Sequence, residues 1–226
     1  FTDDPDTLVQ VIDPNFDGPA ASVVYIDGFF NFHKSDGKKF FNSPLGDGTG
    51  PYDPLDFSTA EADPDQIRAQ VVYRNQLYIL GSETTEVFRN IGRSPSPFQR
   101  IAGAVIDVGI VAPQSVSLFG GAFAFVGAGV NESPAIWSIQ GATKQKLSTT
   151  AIDDALSKLT DDEQENIFSW TYAESGAFFY GVTLPGTCFV YDVVNKRWHE
   201  RQSTKGTTLT QYRVGAMVEA YGRILV

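Results

Sequence analysis

Residues 167–201 read IFSWTYAESGAFFYGVTLPGTCFVYDVVNKRWHER, and this stretch decides the fold class. Four runs rich in Phe, Tyr, Trp and Val (Ile167–Ala173, Ala177–Val182, Thr187–Val193, Arg197–Arg201) are divided by Glu174-Ser175-Gly176, Leu184-Pro185-Gly186 and Val194-Asn195-Lys196. Gly, Pro and Asn supply turn angles that strands exclude, while β-branched and aromatic residues pack well on a pleated surface. The stretch therefore predicts four antiparallel strands joined by three tight hairpins, the signature of one propeller blade.

The same logic recurs along the chain. Val23–Phe32 predicts a hairpin about Asp27-Gly28, with Lys39–Asn42 continuing the sheet, and Leu8–Ile12 suits an edge or closing strand. Ala69–Tyr73, Leu77–Leu80, Thr84–Phe88 and Gln99–Ile106 form a second set, then Val116–Phe119, Ala122–Val126, Ala135–Ile139 and Lys144–Leu147 a third; a last hairpin falls in Gly215–Val226. Hairpin centres near 28, 75, 121, 176 and 222 lie 47, 46, 55 and 46 residues apart, an interval that suits one blade per repeat. The longer interval holds a helical pattern over 149–166. There Ile152, Ala155, Leu156 and Leu159 make one apolar stripe, and Thr150/Asp153 and Thr160/Glu163 resemble capping boxes. Ser43–Asp65, with its Gly and Pro, reads as an ordered loop rather than a strand. The expectation is a single all-β, β-propeller-like domain over 1–226, of about five blades with one short inserted helix. It begins at Phe1 and ends mid-pattern, which reads as an excised fragment of a longer chain.

Composition sets further bounds. No apolar run approaches the roughly 20 residues of a spanning helix, so no membrane contact is expected. The single cysteine, Cys188, allows no internal disulfide and no Cys-based zinc site, and its apolar run suits a buried, inert thiol. Net charge is -10; residues 1–65 carry 13 Asp and Glu against 3 Lys, whereas 66–226 balance. A surface of that kind repels phosphates, which argues against a DNA-gripping module.

A search for chemistry returns little. His33 and His199 are the only histidines, both placed as strand residues, and no nucleophile elbow, phosphate-binding loop or zinc-binding helix motif occurs. Acidic residues 161–165 lack the spacing of a calcium loop and already suit a helix N-terminus. For the acids of Ser43–Asp65 a solvated face is the favoured reading over a calcium site. No cofactor is expected. Trp137, Trp170 and Trp198 leave a carbohydrate-binding propeller, or a propeller glycosidase with convergent carboxylates, as the alternative reading.

The connecting segments carry a family resemblance. Asp53-Pro54-Leu55-Asp56-Phe57-Ser58-Thr59-Ala60-Glu61-Ala62-Asp63-Pro64-Asp65 resembles the W-x-A-L-D-F-A-x-A-E-x-x-P-D segment of the packaged-DNA stabilisation proteins of short-tailed phages. Residues 81–88 (GSETTEVF), 97–104 (PFQRIAGA), 112–116 (APQSV) and Val190-Tyr191-Asp192 leading to Trp198-His199-Glu200-Arg201 match in the same order, as does Ser148-Thr149-Thr150-Ala151-Ile152 before the helix. Pro51-Tyr52 stands where the family has Trp, and Gly127–Ile136 departs from its Gly-Arg-Asp-x-x-Gly stretch.

The resemblance implies a non-enzymatic tail accessory or hub protein, made in the host cytoplasm and located in the virion. It implies a homo-oligomeric ring below the portal adaptor that closes the DNA channel and carries tailspike and tail needle, with DNA passing nearby unbound. On that reading Asp47, Asp53, Asp56, Glu61, Asp63 and Asp65 are the candidate partner-facing or channel-facing residues, and Ser43–Asp65 and Ile91–Phe98 the candidate partner loops.

Overall fold

A computed structural model of the chain describes residues 10–34, 36–61, 65–214 and 217–225. They fall into two compact units, Phe1–Asp107 and Val108–Val226.

The first unit holds two four-stranded antiparallel meanders. One runs in order through β1 (Ala20–Ile26), β2 (Phe29–Lys34), β3 (Lys39–Asn42) and β4 (Phe57–Thr59). The other comprises β5 (Ile67–Tyr73), β6 (Gln76–Gly81), β7 (Thr85–Asn90) and β8 (Phe98–Ile106). In the second unit, β9 (Gly109–Ile110) and a single 3-10 turn (Pro113–Ser115) precede the meander of β10 (Ser117–Phe119), β11 (Ala122–Ala128), β12 (Ala135–Gln140) and β13 (Thr143–Lys146), with β9 pairing β11. Helices α1 (Thr150–Ser157) and α2 (Asp161–Glu165) follow, then the meander of β14 (Phe168–Glu174), β15 (Ala177–Leu184), β16 (Thr187–Asp192) and β17 (Arg197–Glu200). Two isolated hairpins complete the described residues: β18 (Gln202–Lys205) with β19 (Thr208–Gln211), and β20 (Val218–Ala220) with β21 (Arg223–Leu225). This is an all-β, propeller-like architecture of successive four-stranded meanders.

The hairpins share one local cause. At each of the five centres two consecutive residues have positive φ: Asp27 and Gly28 (51° and 86°), Arg74 and Asn75 (49° and 58°), Gly120 and Gly121 (47° and 84°), Ser175 and Gly176 (51° and 81°), Tyr221 and Gly222 (54° and 66°). Two positive angles in a two-residue loop define the type I′ turn, whose twist matches that of paired strands. The register follows directly: Glu174 pairs Ala177, Tyr73 pairs Gln76 and Ile26 pairs Phe29.

Alternation then separates the two faces of each sheet. In the first unit Ile26, Phe40, Ile67, Leu77, Ile79, Phe88 and Phe98 form one buried cluster. In the second, Val126, Ile136, Tyr180 and Val182 pack with Ile152 and Leu156 of α1. Gly181 is required here, because a Cβ at that position would occupy the space of the Trp170 indole.

The differences from the sequence reading are local. The Gly/Pro segment contains a strand after all, β4, whose three residues pair with β3 through Lys39↔Thr59, Phe40↔Ser58 and Phe41↔Phe57. The hairpin β18–β19 is additional, built from polar residues around Gly206. Helix α1 is capped one residue earlier than expected, at Thr149 and without a side-chain bond. Asp153 instead accepts from Ser148 at 2.5 Å and pairs with Lys146 at 2.6 Å. The second capping box forms as read, Glu163 N–H donating to Thr160 Oγ1 and Thr160 N–H to Glu163 Oε2. Of the expected strand Leu8–Ile12, Leu8 and Val9 lie outside the described residues and Gln10–Ile12 is not strand.

His33 faces inward from β2 at 1% exposure, and burial pulls its pKa down to about 4. Its Nδ1 bonds Ser22 Oγ at 2.9 Å, while Nε2 and the side-chain amide of Asn31 have no partner among the described residues. Above pH 6.5 the ring is neutral folded or unfolded; below it the unfolded chain takes up a proton that the folded state refuses until about pH 4. Stability attributable to His33 should therefore fall as pH drops, by roughly 2 kcal/mol between pH 7 and pH 5. Urea midpoints of wild type and His33→Gln at the two pH values check this: the variant should lose less on acidification, and parallel losses would contradict it.

Candidate functional site

The acidic segment after β3 is held on the outer face of the first sheet by aromatic packing. Phe32 and Phe41, cross-strand neighbours on β2 and β3, stack at 5.2 Å, and Phe16 meets both edge-on at 5.2 and 5.3 Å. Tyr52 closes the group, 5.1 Å from Phe16. Its buried phenol, pushed up to about 12 chiefly by loss of solvent, stays protonated and donates to the Gly48 carbonyl at 2.7 Å. The segment is tied further by Gly46 N–H to Gly28 O at 2.7 Å, Ser43 N–H to Phe30 O at 2.9 Å, and Asp13, which accepts from Tyr52 N–H at 3.2 Å. Strand β4 anchors its far end.

On this scaffold the predicted carboxylates part company. Asp47 is exposed, its Oδ1 accepting from Thr49 N–H at 2.8 Å and Thr49 Oγ1 at 2.6 Å, which holds its pKa below the ordinary value. Asp53 is exposed and accepts from Leu55 N–H at 2.9 Å; Glu61 is exposed and accepts from Thr59 Oγ1 at 2.7 Å. Asp56 is half-buried, and burial with neighbouring Asp53 raises its pKa. Asp63 lies outside the described residues.

Asp65 is of another kind. At 7% exposure, its Oδ2 accepts from Glu83 N–H and Thr84 N–H, each at 2.9 Å, and from Thr84 Oγ1 at 3.3 Å. It organises the β6–β7 turn, and a Cβ at Gly81 would overlap its carboxylate. Asp65 thus serves the fold, whereas Asp47, Asp53 and Glu61 spend one oxygen on a local turn and face outward.

The two candidate partner loops meet. Ser58 of β4 bonds Ser96 Oγ at 2.7 Å and donates to Phe98 O at 3.2 Å, tying the acidic segment to the connector before β8, whose residues 92–95 are exposed. Of the three tryptophans Trp170 is buried, Trp137 and Trp198 are half-buried, and all three indole N–H groups are spent internally, Trp137 on Gly127 O, Trp170 on Thr183 Oγ1 and Trp198 on Leu147 O. Cys188 is buried, its thiol pushed up by loss of solvent. Among the described residues no group of three or more His, Cys, Asp or Glu is placed to hold a metal ion.

A family model described as "Bacteriophage P22 Gp10, beta-propeller", of the phage stabilisation type, matches residues 1–226. The chain belongs to that family. It is therefore a phage structural protein associated with stabilising packaged DNA, and the successive meanders are those of a β-propeller family. No curated protein matches the chain. Family membership accounts for a molecule built of packed sheets and turn-held surface loops.

The split among the carboxylates predicts distinct costs. Asp47→Asn, Asp53→Asn and Glu61→Gln should each shift unfolding free energy by less than about 0.5 kcal/mol. Asp65→Ala, which strands the buried Thr84 N–H and the partly buried Glu83 N–H, should cost roughly 2–4 kcal/mol. Denaturant titration of the purified chain distinguishes them, and equal losses would refute the division.

Proposed function

We propose that this phage structural protein acts at the tail, as a component of a cyclic ring that closes the portal channel after packaging and anchors tail parts. The observation that carries the reading is the exposure of Asp47 and Asp53, on a segment pinned between β3 and β4, and of Glu61 just after β4, with β4 joined to the 91–98 connector. Fixed negative charge of this kind suits either of two surfaces. Along a conduit it repels phosphates and lets DNA pass without sticking, and against a neighbouring subunit it offers complementary charge. Loops serve such contacts because the strands are consumed in building the sheets. A ring of identical subunits would use heterologous faces, each copy presenting one loop surface to the next chain. The portal adaptor, tailspike and tail needle are the partners proposed for those faces.

Particles in which Asp47, Asp53 and Asp56 are changed to Asn and Glu61 to Gln test this. They should fold and package, then differ from wild type in ejection kinetics or in retention of the packaged genome. Normal retention and normal ejection from fully assembled particles would sink the proposal.

A further inference from the structure

Beside the pinned loop the first sheet carries a cleft that the aromatic cluster does not fill. Its volume is about 700 Å³, and Tyr25, Phe30, Gly46, Asp47, Gly48 and Thr49 line it. Tyr25 and Phe30 are cross-strand partners at the end of the β1–β2 hairpin, their rings 5.0 Å apart and tilted by 57°. Tyr25 is 58% exposed, an unusual expense for a tyrosine on a strand. The opposite wall has no bulk of its own: glycines flank Asp47, and a Cβ at Gly48 would press on the Phe30 ring at 3.2 Å. Both hydrogen bonds from Thr49 to Asp47 use Oδ1, so Oδ2 keeps its acceptor capacity. The walls are pre-set by Gly46–Gly28, Phe30–Ser43 and Tyr52–Gly48 hydrogen bonds, so occupation would cost little ordering.

Two aromatic faces beside an ionised carboxylate, on a segment with ten more acids than bases over residues 1–65, select for a cation. The chain seats its own cations on aromatic rings. Lys39 Nζ lies 4.0 Å from the centroid of the Phe57 ring while pairing with Asp17 at 2.5 Å, and Arg201 sits over Trp170, Tyr172 and Phe179. A neutral sugar would satisfy the rings but waste the charge. A guanidinium satisfies both, stacking its plane on an aromatic face while its N–H fork meets the carboxylate.

We propose that the Tyr25–Phe30–Asp47 cleft receives an arginine side chain from a partner protein of the assembled particle. This rests on the reading that the acidic loop faces a neighbouring subunit. Arginine is a recurrent anchor of interfaces when seated in a pre-formed pocket, and this one is aromatic-walled and anionic.

The direct test titrates the purified chain with N-acetylarginine amide, following the Gly48 and Thr49 amide resonances. Uncharged N-acetylcitrulline amide and methyl glucoside serve as controls. Saturable shifts with the arginine probe are expected, with affinity about tenfold weaker for citrulline and a similar loss in Asp47→Asn and in Tyr25→Ala. Tyr25→Phe should retain binding, since the ring face and not the hydroxyl makes the contact. Equal binding of citrulline, preferential binding of the glucoside, or no saturable shift overturns the proposal. Particles carrying Tyr25→Ala provide the second arm, because an exposed side chain can be removed without touching the loop's charge. Impaired incorporation supports the cleft as a docking point. Full incorporation overturns it, and leaves the loop-charge reading to its own ejection and retention measurements.

Discussion

The packing of Phe16, Phe32, Phe41 and Tyr52 is the constraint on which the shape of the acidic surface depends. A loop rich in Gly, Pro and Asp has no reason to hold one shape, and its like charges push it outward. Burying four rings against the outer face of a sheet supplies that reason. Edge-to-face and offset pairs each add about 0.5–1.5 kcal/mol beyond the area they bury, and the Tyr52 hydroxyl converts the packing into a fixed backbone position at Gly48. Once Gly48 is placed, Asp47 and Thr49 are placed with it, and the cleft against Tyr25 acquires its second wall. Charge is then presented from a rigid support, at low entropic cost to any partner.

The sheets beneath follow from turn chemistry more than from strand propensity. Type I′ turns at all five hairpin centres fix the register, and the register fixes which side chains face inward. That is why Asp-Gly, Gly-Gly and Ser-Gly pairs make the meanders legible in the sequence, and why the spacing of their centres points to repeated blades. Arg74-Asn75 and Tyr221-Gly222 are weaker signals that adopt the same angles because the strands on either side are already committed.

What escaped the sequence had non-local causes. Strand β4 is three residues long and exists because β3 offers it an edge 15 residues away in the chain, a partner that no local pattern announces. The β18–β19 hairpin holds one apolar residue, Leu209, in eight strand positions, so alternation gives no sign of it. Asp65 belonged by sequence to the same acidic run as Asp47 and Asp53. Its buried role appears only when Glu83 and Thr84, in a turn 18 and 19 residues later, bring their N–H groups to it. The Tyr25–Asp47 cleft is a juxtaposition of the same sort, made by a hairpin end and a loop that share no motif. The exposure of Asp47 and Asp53 was legible because each accepts from the backbone N–H two residues on, an Asx-type turn written in the local sequence.

Family membership and geometry together describe a phage structural protein whose strands build the scaffold, and its pinned, acidic loops are the surface proposed to meet the rest of the particle. An asymmetric cryo-electron microscopy reconstruction of the intact particle measures this most directly. The account predicts that residues 44–61 contact another protein chain or line the DNA conduit, with Asp47 and Asp53 at the contact. A reconstruction in which that loop faces bulk solvent, and subunits meet through other surfaces, would contradict it.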